Sequence, residues 1–158
     1  MKKIAFLIVI VIVAFVLITS FSSNEDIKVE HLIYSYQDTY VGDNTSVGGI
    51  LYDIFLSENV ESFALGTSKA PYSITVNYVL DQEVIMEELS QNMEYNATTL
   101  FAFVKNVDLV TFNVEGTVQK IYVFKRETIQ RKYNDELSSY VTDENTWMKE
   151  VYSTIIER

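Results

Sequence analysis

The sequence predicts an α+β fold: an N-terminal transmembrane helix, then a two-layer sandwich of helices on a mainly antiparallel sheet built from two hairpins. Three observations carry this. Residues 4–18 are apolar without a break behind Lys2 and Lys3. Two pairs of strand-like segments flank one long segment of helical period. The chain ends in a capped amphipathic segment. With 158 residues, one domain beyond the first segment is the natural count. The boundaries predicted are 1–22 for a membrane anchor or signal segment, 23–35 for a linker and 36–158 for an extracytoplasmic α+β domain.

The first segment reaches 18 residues if Thr19, Ser20 and Phe21 are included. As a helix it spans roughly 27 Å, close to the ~30 Å hydrocarbon core of a bilayer. Backbone groups in lipid must pair internally, so the β-branched run becomes helical there. Two lysines before the run and none directly after it place the amino terminus inside and the rest outside. A cleaved secretory signal is the alternative, with Ser20-Phe21-Ser22 as a small-x-small cleavage site.

Charge divides the same way. The chain carries −10 overall, and Lys2 and Lys3 are the only charges before Glu25, so residues 25–158 carry −12. Such a balance argues against recognition of nucleic acid, which needs clustered Lys and Arg, and suits a self-repelling domain outside the membrane. There is no Cys and one His, which excludes disulfides, thiolate metal sites and a cysteine nucleophile.

Along the exterior part, residues 22–30 are polar and read as linker, and residues 28–36 as a short strand or helix start. Gly42 supplies a turn, and Asp43 or Asn44 caps a helix with Val47, Ile50, Leu51, Ile54 and Phe55 on one face. Gly48 and Gly49 weaken that helix and point to close packing, against a sheet for instance. Residues 61–67 read as a strand. Pro71 opens a second, with Tyr72, Ile74, Val76, Tyr78 and Leu80 alternating with Ser73, Thr75, Asn77 and Val79.

From residue 84 to about 105 the period becomes helical, through Leu89, Met93, Ala97, Leu100, Phe101 and Val104. Glu83, Glu87, Glu88 and Glu94 suit its start, and Asn96 is placed to cap a second helix after a break near Tyr95. Residues 109–114 and 118–124 form the second hairpin, with Gly116 as its permissive residue. Residues 125–133 read as a helical turn. Thr142 or Asp143 caps the last helix, with Trp147, Val151, Tyr152 and Ile155 as its stripe.

Three segments, Tyr40 to Asn44, Thr67 to Tyr78 and Asn96 to Asn106, together resemble the domain of unknown function 4825 family of Gram-positive bacteria, over residues 36–155. The resemblance implies an extracytoplasmic module on an anchored or secreted protein, sometimes attached to membrane zinc peptidases of the beta-lactam-sensor type. It brings no catalytic residues, and no His-Glu-x-x-His is present here. The chain departs from the family pattern at Ser73, where Gly is expected, and at Leu56-Ser57, where Leu-Pro is expected.

Candidate chemistry is thin. A triad would need His31 as its base, without a Gly-x-Ser-x-Gly elbow to present the serine. Asp38, Asp43 and Asn44 offer three oxygen ligands, but not at EF-hand spacing, and capping explains the last two more simply. Asn44-Thr45-Ser46 and Asn96-Ala97-Thr98 match the glycosylation sequon, a match common by chance. Tyr72 and Tyr78 read as core. The expectation is therefore a non-catalytic binding or sensing module with no catalytic, cofactor-binding or metal residues and no cofactor. It is held in the membrane through residues 4–21, with a protein partner in envelope sensing and no nucleic acid. A small secreted or anchored carboxylate-dependent hydrolase is the alternative.

Overall fold

The computed structural model describes residues 33–83 and 85–157. The predicted anchor over residues 4–21, most of the linker and His31 lie outside them. No helix among the described residues is long and apolar enough to cross a membrane.

The described chain has an α+β fold built on one four-stranded, mostly antiparallel sheet. A 3₁₀ turn, Tyr34–Tyr36, stands where a strand or helix start was expected, and helix α1 follows over Asn44–Tyr52. Strands β1, Val60–Gly66, and β2, Ser73–Leu80, form the first hairpin. Helix α2, Met86–Phe103, leads to the second hairpin of β3, Leu109–Gly116, and β4, Lys120–Lys125. Beyond it come α3, Arg126–Gln130, a 3₁₀ turn over Leu137–Thr142, and a terminal helix made of α4, Glu144–Trp147, a π-helical turn and α5, Ser153–Ile156.

Strand order is β1-β2-β3-β4. The two expected hairpins meet through β2 and β3, which run parallel. Length explains the join: eighteen helical residues rise about 27 Å, and eight strand residues about 26 Å, so α2 carries the chain back to the starting end of β2. Alternation sends Ile74, Val76, Tyr78, Leu80, Val110, Phe112, Val114 and Tyr122 to one buried face. The opposite face shows Thr75, Asn77, Thr111 and Asn113, with Ile121 68% and Val123 57% exposed. A polar row crosses it: Asn113 donates to Asn77 at 2.8 Å, and Asn77 to Ser62 at 2.9 Å.

Helix α2 does not break at Tyr95. Asn96 lies mid-helix, wholly buried, and caps nothing. Its side chain accepts from the Phe55 N–H at 3.0 Å and donates to the Phe55 carbonyl at 2.8 Å, closing on that peptide as a neighbouring strand would. It also reaches the Tyr78 hydroxyl at 3.3 Å. Thr98 and Thr99 turn their hydroxyls back to the carbonyls of Glu94 and Tyr95. Every residue from Asn96 to Val104 is buried, because the C-terminal segment closes on α2 as the sheet does. Trp147 packs edge-on against Tyr95 and Phe103, and its indole N–H donates to the Tyr95 hydroxyl at 2.7 Å.

Arg126 finishes the carboxyl end of α2. Its guanidinium donates to the carbonyls of Val104 and Val107 and stacks over the Phe101 ring. Burial lowers its pKa, with Asp108 and Glu136 opposing that shift. A cation on the last carbonyls also meets the negative end of the helix dipole.

Two aspartates start helices as expected. Asp43 accepts from the Ser46 N–H at 3.0 Å and Asp143 from the Thr146 N–H at 3.0 Å, each also taking the hydroxyl at 2.7 Å. Asn44 is the first helical residue and not the cap.

Two predictions follow from these contacts. Asn96→Ala strips a buried peptide of both partners and should lower unfolding free energy by about 2–3 kcal/mol in urea titration; an unchanged midpoint would contradict the clasp. The caps hold the Asp43 carboxyl, chiefly through the Ser46 N–H, and that of Asp143, chiefly through the Thr146 hydroxyl, below the ordinary 3.8. Depressed carboxylates contribute their full stability above the unfolded value and lose it as pH falls through the folded one. Melting temperature should therefore drop as pH is taken below about 3.8, and less steeply in the Asp43→Asn, Asp143→Asn double variant, which caps without titrating.

Candidate functional site

The feature with the chemistry of a binding site is the β1 edge and the groove beside it. β1 is an outermost strand of the sheet, and no backbone hydrogen bond reaches its outer side among the described residues. The strand is irregular at its start. Val60 pairs with Tyr78 and Ser62 with Asn77, so Glu61 is the extra residue of a bulge. Beyond it Phe63 and Leu65 lean toward the core, while Ser62 and Ala64 stand exposed.

Helix α1 lies alongside and leaves a groove of about 300 Å³. Gly48, Leu51, Val60 and Phe63 give it an apolar floor, and Tyr52, 80% exposed, and Glu61 stand at its rim. Of the paired glycines, Gly49 is the one that a close neighbour requires. A Cβ at Gly48 would sit 3.6 Å from the Phe63 ring, an ordinary contact, and one at Gly49 would lie 2.2 Å from the Tyr36 ring. The expected close approach is real, with a strand residue on one side and a tyrosine from the entering chain on the other.

The loop from α1 to β1 walls one end. Leu56 takes a left-handed backbone, φ 61°. The Asn96 clasp on Phe55 and a 3.1 Å bond from Asn59 to the Val79 carbonyl hold that loop. Glu58, Asp81 and Glu83 border a smaller hollow of about 260 Å³ next to it. Asp53, at the carboxyl end of α1, is pushed up by burial. A further hollow of about 550 Å³ lies among Pro71, Asp108, Lys125, Arg126, Gln130 and Glu136. Its Arg126 and Gln130 side chains are already engaged with the fold.

Of the candidate residues singled out from sequence, Asn44 lines the groove and the others among the described residues do not gather there. Asp38 pairs with Lys105 at 2.8 Å and Asp43 caps α1, so two of the three oxygen groups are spent on structure. No group of three His, Cys, Asp or Glu suited to a metal occurs among the described residues. Tyr78 is core, and burial pushes its hydroxyl pKa up; Tyr72 is half-buried. The sequon at Asn96 is buried. Missed in the sequence were Asn96 as a clasp and Glu61 as a bulge; the one visible sign of the latter is Glu61-Ser62, two polar residues in succession within a strand.

The family whose pattern matches the chain is the domain of unknown function DUF4825, over residues 33–127. No curated protein and no solved structure matches. The folded unit runs on past the matched region, since Leu137, Tyr140, Val141, Trp147, Val151 and Ile155 all belong to the core.

The groove yields a paired prediction. Gly48→Ala should leave stability unchanged or raise it by up to about 1 kcal/mol through helix propensity. Gly49→Ala should lower it, because the Tyr36 ring must leave its place. Thermal melts of the two variants check the contrast, and equal shifts would contradict the packing described.

Proposed function

The chain belongs to the DUF4825 family, and on that footing we propose that it is an extracytoplasmic binding or sensing module, held by an N-terminal transmembrane helix over residues 4–21, that works without catalysis. The observation that carries the reading is the unpaired outer side of β1 beside a groove with an apolar floor. A strand edge offers a row of backbone donors and acceptors, and an extended segment can add to it as a further strand while alternate side chains enter the groove. Specificity then comes from side-chain pockets, and affinity from the main chain, so no reactive side chain is required.

The apolar run behind Lys2 and Lys3 and the net −12 of residues 25–158 support the placement outside the membrane. The tether keeps a small domain at a fixed surface, where a segment of a neighbouring envelope protein is within reach. A carboxylate hydrolase remains the second reading, favoured by the raised pKa of Asp53. It requires a second carboxylate facing Asp53 across a cleft; Asp53 does not line the groove, where Glu61 is the one carboxylate among the described lining residues.

The experiment is a topology and fractionation test in a Gram-positive host. A phosphatase fused after Arg158 should be active at the cell surface, and the intact chain should sediment with membranes. Signal confined to the cytosol, or release of the chain after cleavage near Ser22, would overturn the proposal.

A further inference from the structure

We infer that the β1 edge takes an extended cationic peptide, bound as a fifth strand with alternate aliphatic side chains directed into the α1–β1 groove. This rests on the strand-addition reading above and adds the chemistry of the occupant.

Three observations point to that occupant. Shape comes first: the register of β1 is regular from Ser62 to Gly66, so about five residues of unpaired edge are available past the bulge. The groove floor of Leu51, Val60 and Phe63 lies beside that edge, where every second side chain of an added strand would fall. Charge comes second. Glu61 stands on the rim, Glu58 is one turn earlier, and Asp81 and Glu83 continue the border past the loop. Glu58 and Glu61 are exposed and form no ion pair among the described residues. Between residues 45 and 104 there are eight carboxylates and one basic residue, Lys69, which sits in the β1–β2 turn at the far end of the strand. The third observation is contrast. The opposite edge, β4, begins and ends with the exposed Lys120 and Lys125. Lysines on an edge strand discourage pairing. The two edges therefore carry opposite signs, and a cationic strand is drawn to β1 and repelled from β4.

The test uses the full-length chain in a neutral detergent and three blocked nonapeptides, alternating valine with lysine, with serine or with glutamate. Amide hydrogen exchange reports which backbone groups become protected. The lysine peptide should bind saturably, slow exchange in β1 at least tenfold and leave β4 unchanged. Glu58→Lys with Glu61→Lys, both at exposed positions, should weaken it at least tenfold, as should Tyr52→Ala through the rim alone. Raising salt should weaken it as well. Protection of β1 by the serine or glutamate peptide as strong as by the lysine peptide overturns the cationic preference and leaves strand addition standing. Protection at β4, or protection of β1 that grows with protein concentration in the absence of peptide, overturns it in favour of a second copy of the chain. If none of the three peptides protects β1, strand addition fails with it.

Discussion

The structure depends on enclosing α2 without leaving its polar groups unmet. From Asn96 to Val104 the helix has no solvent side, with the sheet on one flank and the C-terminal segment on another. A buried amide or hydroxyl without a partner costs more than a made hydrogen bond returns. The side chains and the C-cap are answered: Asn96 by the Phe55 backbone, Thr98 and Thr99 by the preceding turn, the Val104 carbonyl by Arg126. Among the described residues no buried side-chain polar atom lacks a partner. The solutions at Asn96 and Arg126 are long-range, and they join parts of the chain that local structure leaves independent.

Long-range bonds also join the entering chain, the turn before β2 and the exit from α2. The entering chain and the end of α2 are stitched by a bridge between Thr39 and Val104 and by a 2.7 Å bond from the Val41 N–H to Asn106. Asp108, two residues on, accepts from the Tyr72 N–H at 3.0 Å, while the Tyr72 carbonyl takes the Asp108 N–H at 2.8 Å. The turn before β2, the segment before α1 and the exit from α2 thus form one seam. On the far side of the domain, Asn96 fixes the loop that walls the β1 groove. The interior of α2 and the candidate binding edge are linked through Asn96, which holds the Phe55 backbone and reaches the Tyr78 hydroxyl.

Much of the fold was legible because its signals are local. Alternation in Ile74, Val76 and Tyr78, the helical stripe of Val47, Ile50 and Leu51, and the aspartate caps each concern neighbours in the chain, and each holds. Asn96 misled for the same reason. By local rules an asparagine followed by two threonines marks a helix start. A partner 41 residues away satisfies it instead, so the helix runs through. The parallel pairing of β2 with β3 was hidden too, since each hairpin reads the same whichever way it is laid beside the other. The binding edge was the least legible feature. An edge is defined by the strand that is not there, and a groove by the distance between elements that are far apart in the chain.

The sequence by itself determined the element order, the faces that turn inward, the helix starts to within a residue, at 43–44 and 142–143, and the acidic balance of the chain, because spacing, propensity and charge are properties of neighbouring residues. Only the tertiary structure decided that Asn96 is a clasp, that Arg126 closes a helix, that Asp38 and Asp43 are spent on an ion pair and a cap, and that β1 keeps an unpaired side. Those outcomes turn on which distant groups come within about 3 Å of one another, and contact at that range exists only once the chain has packed.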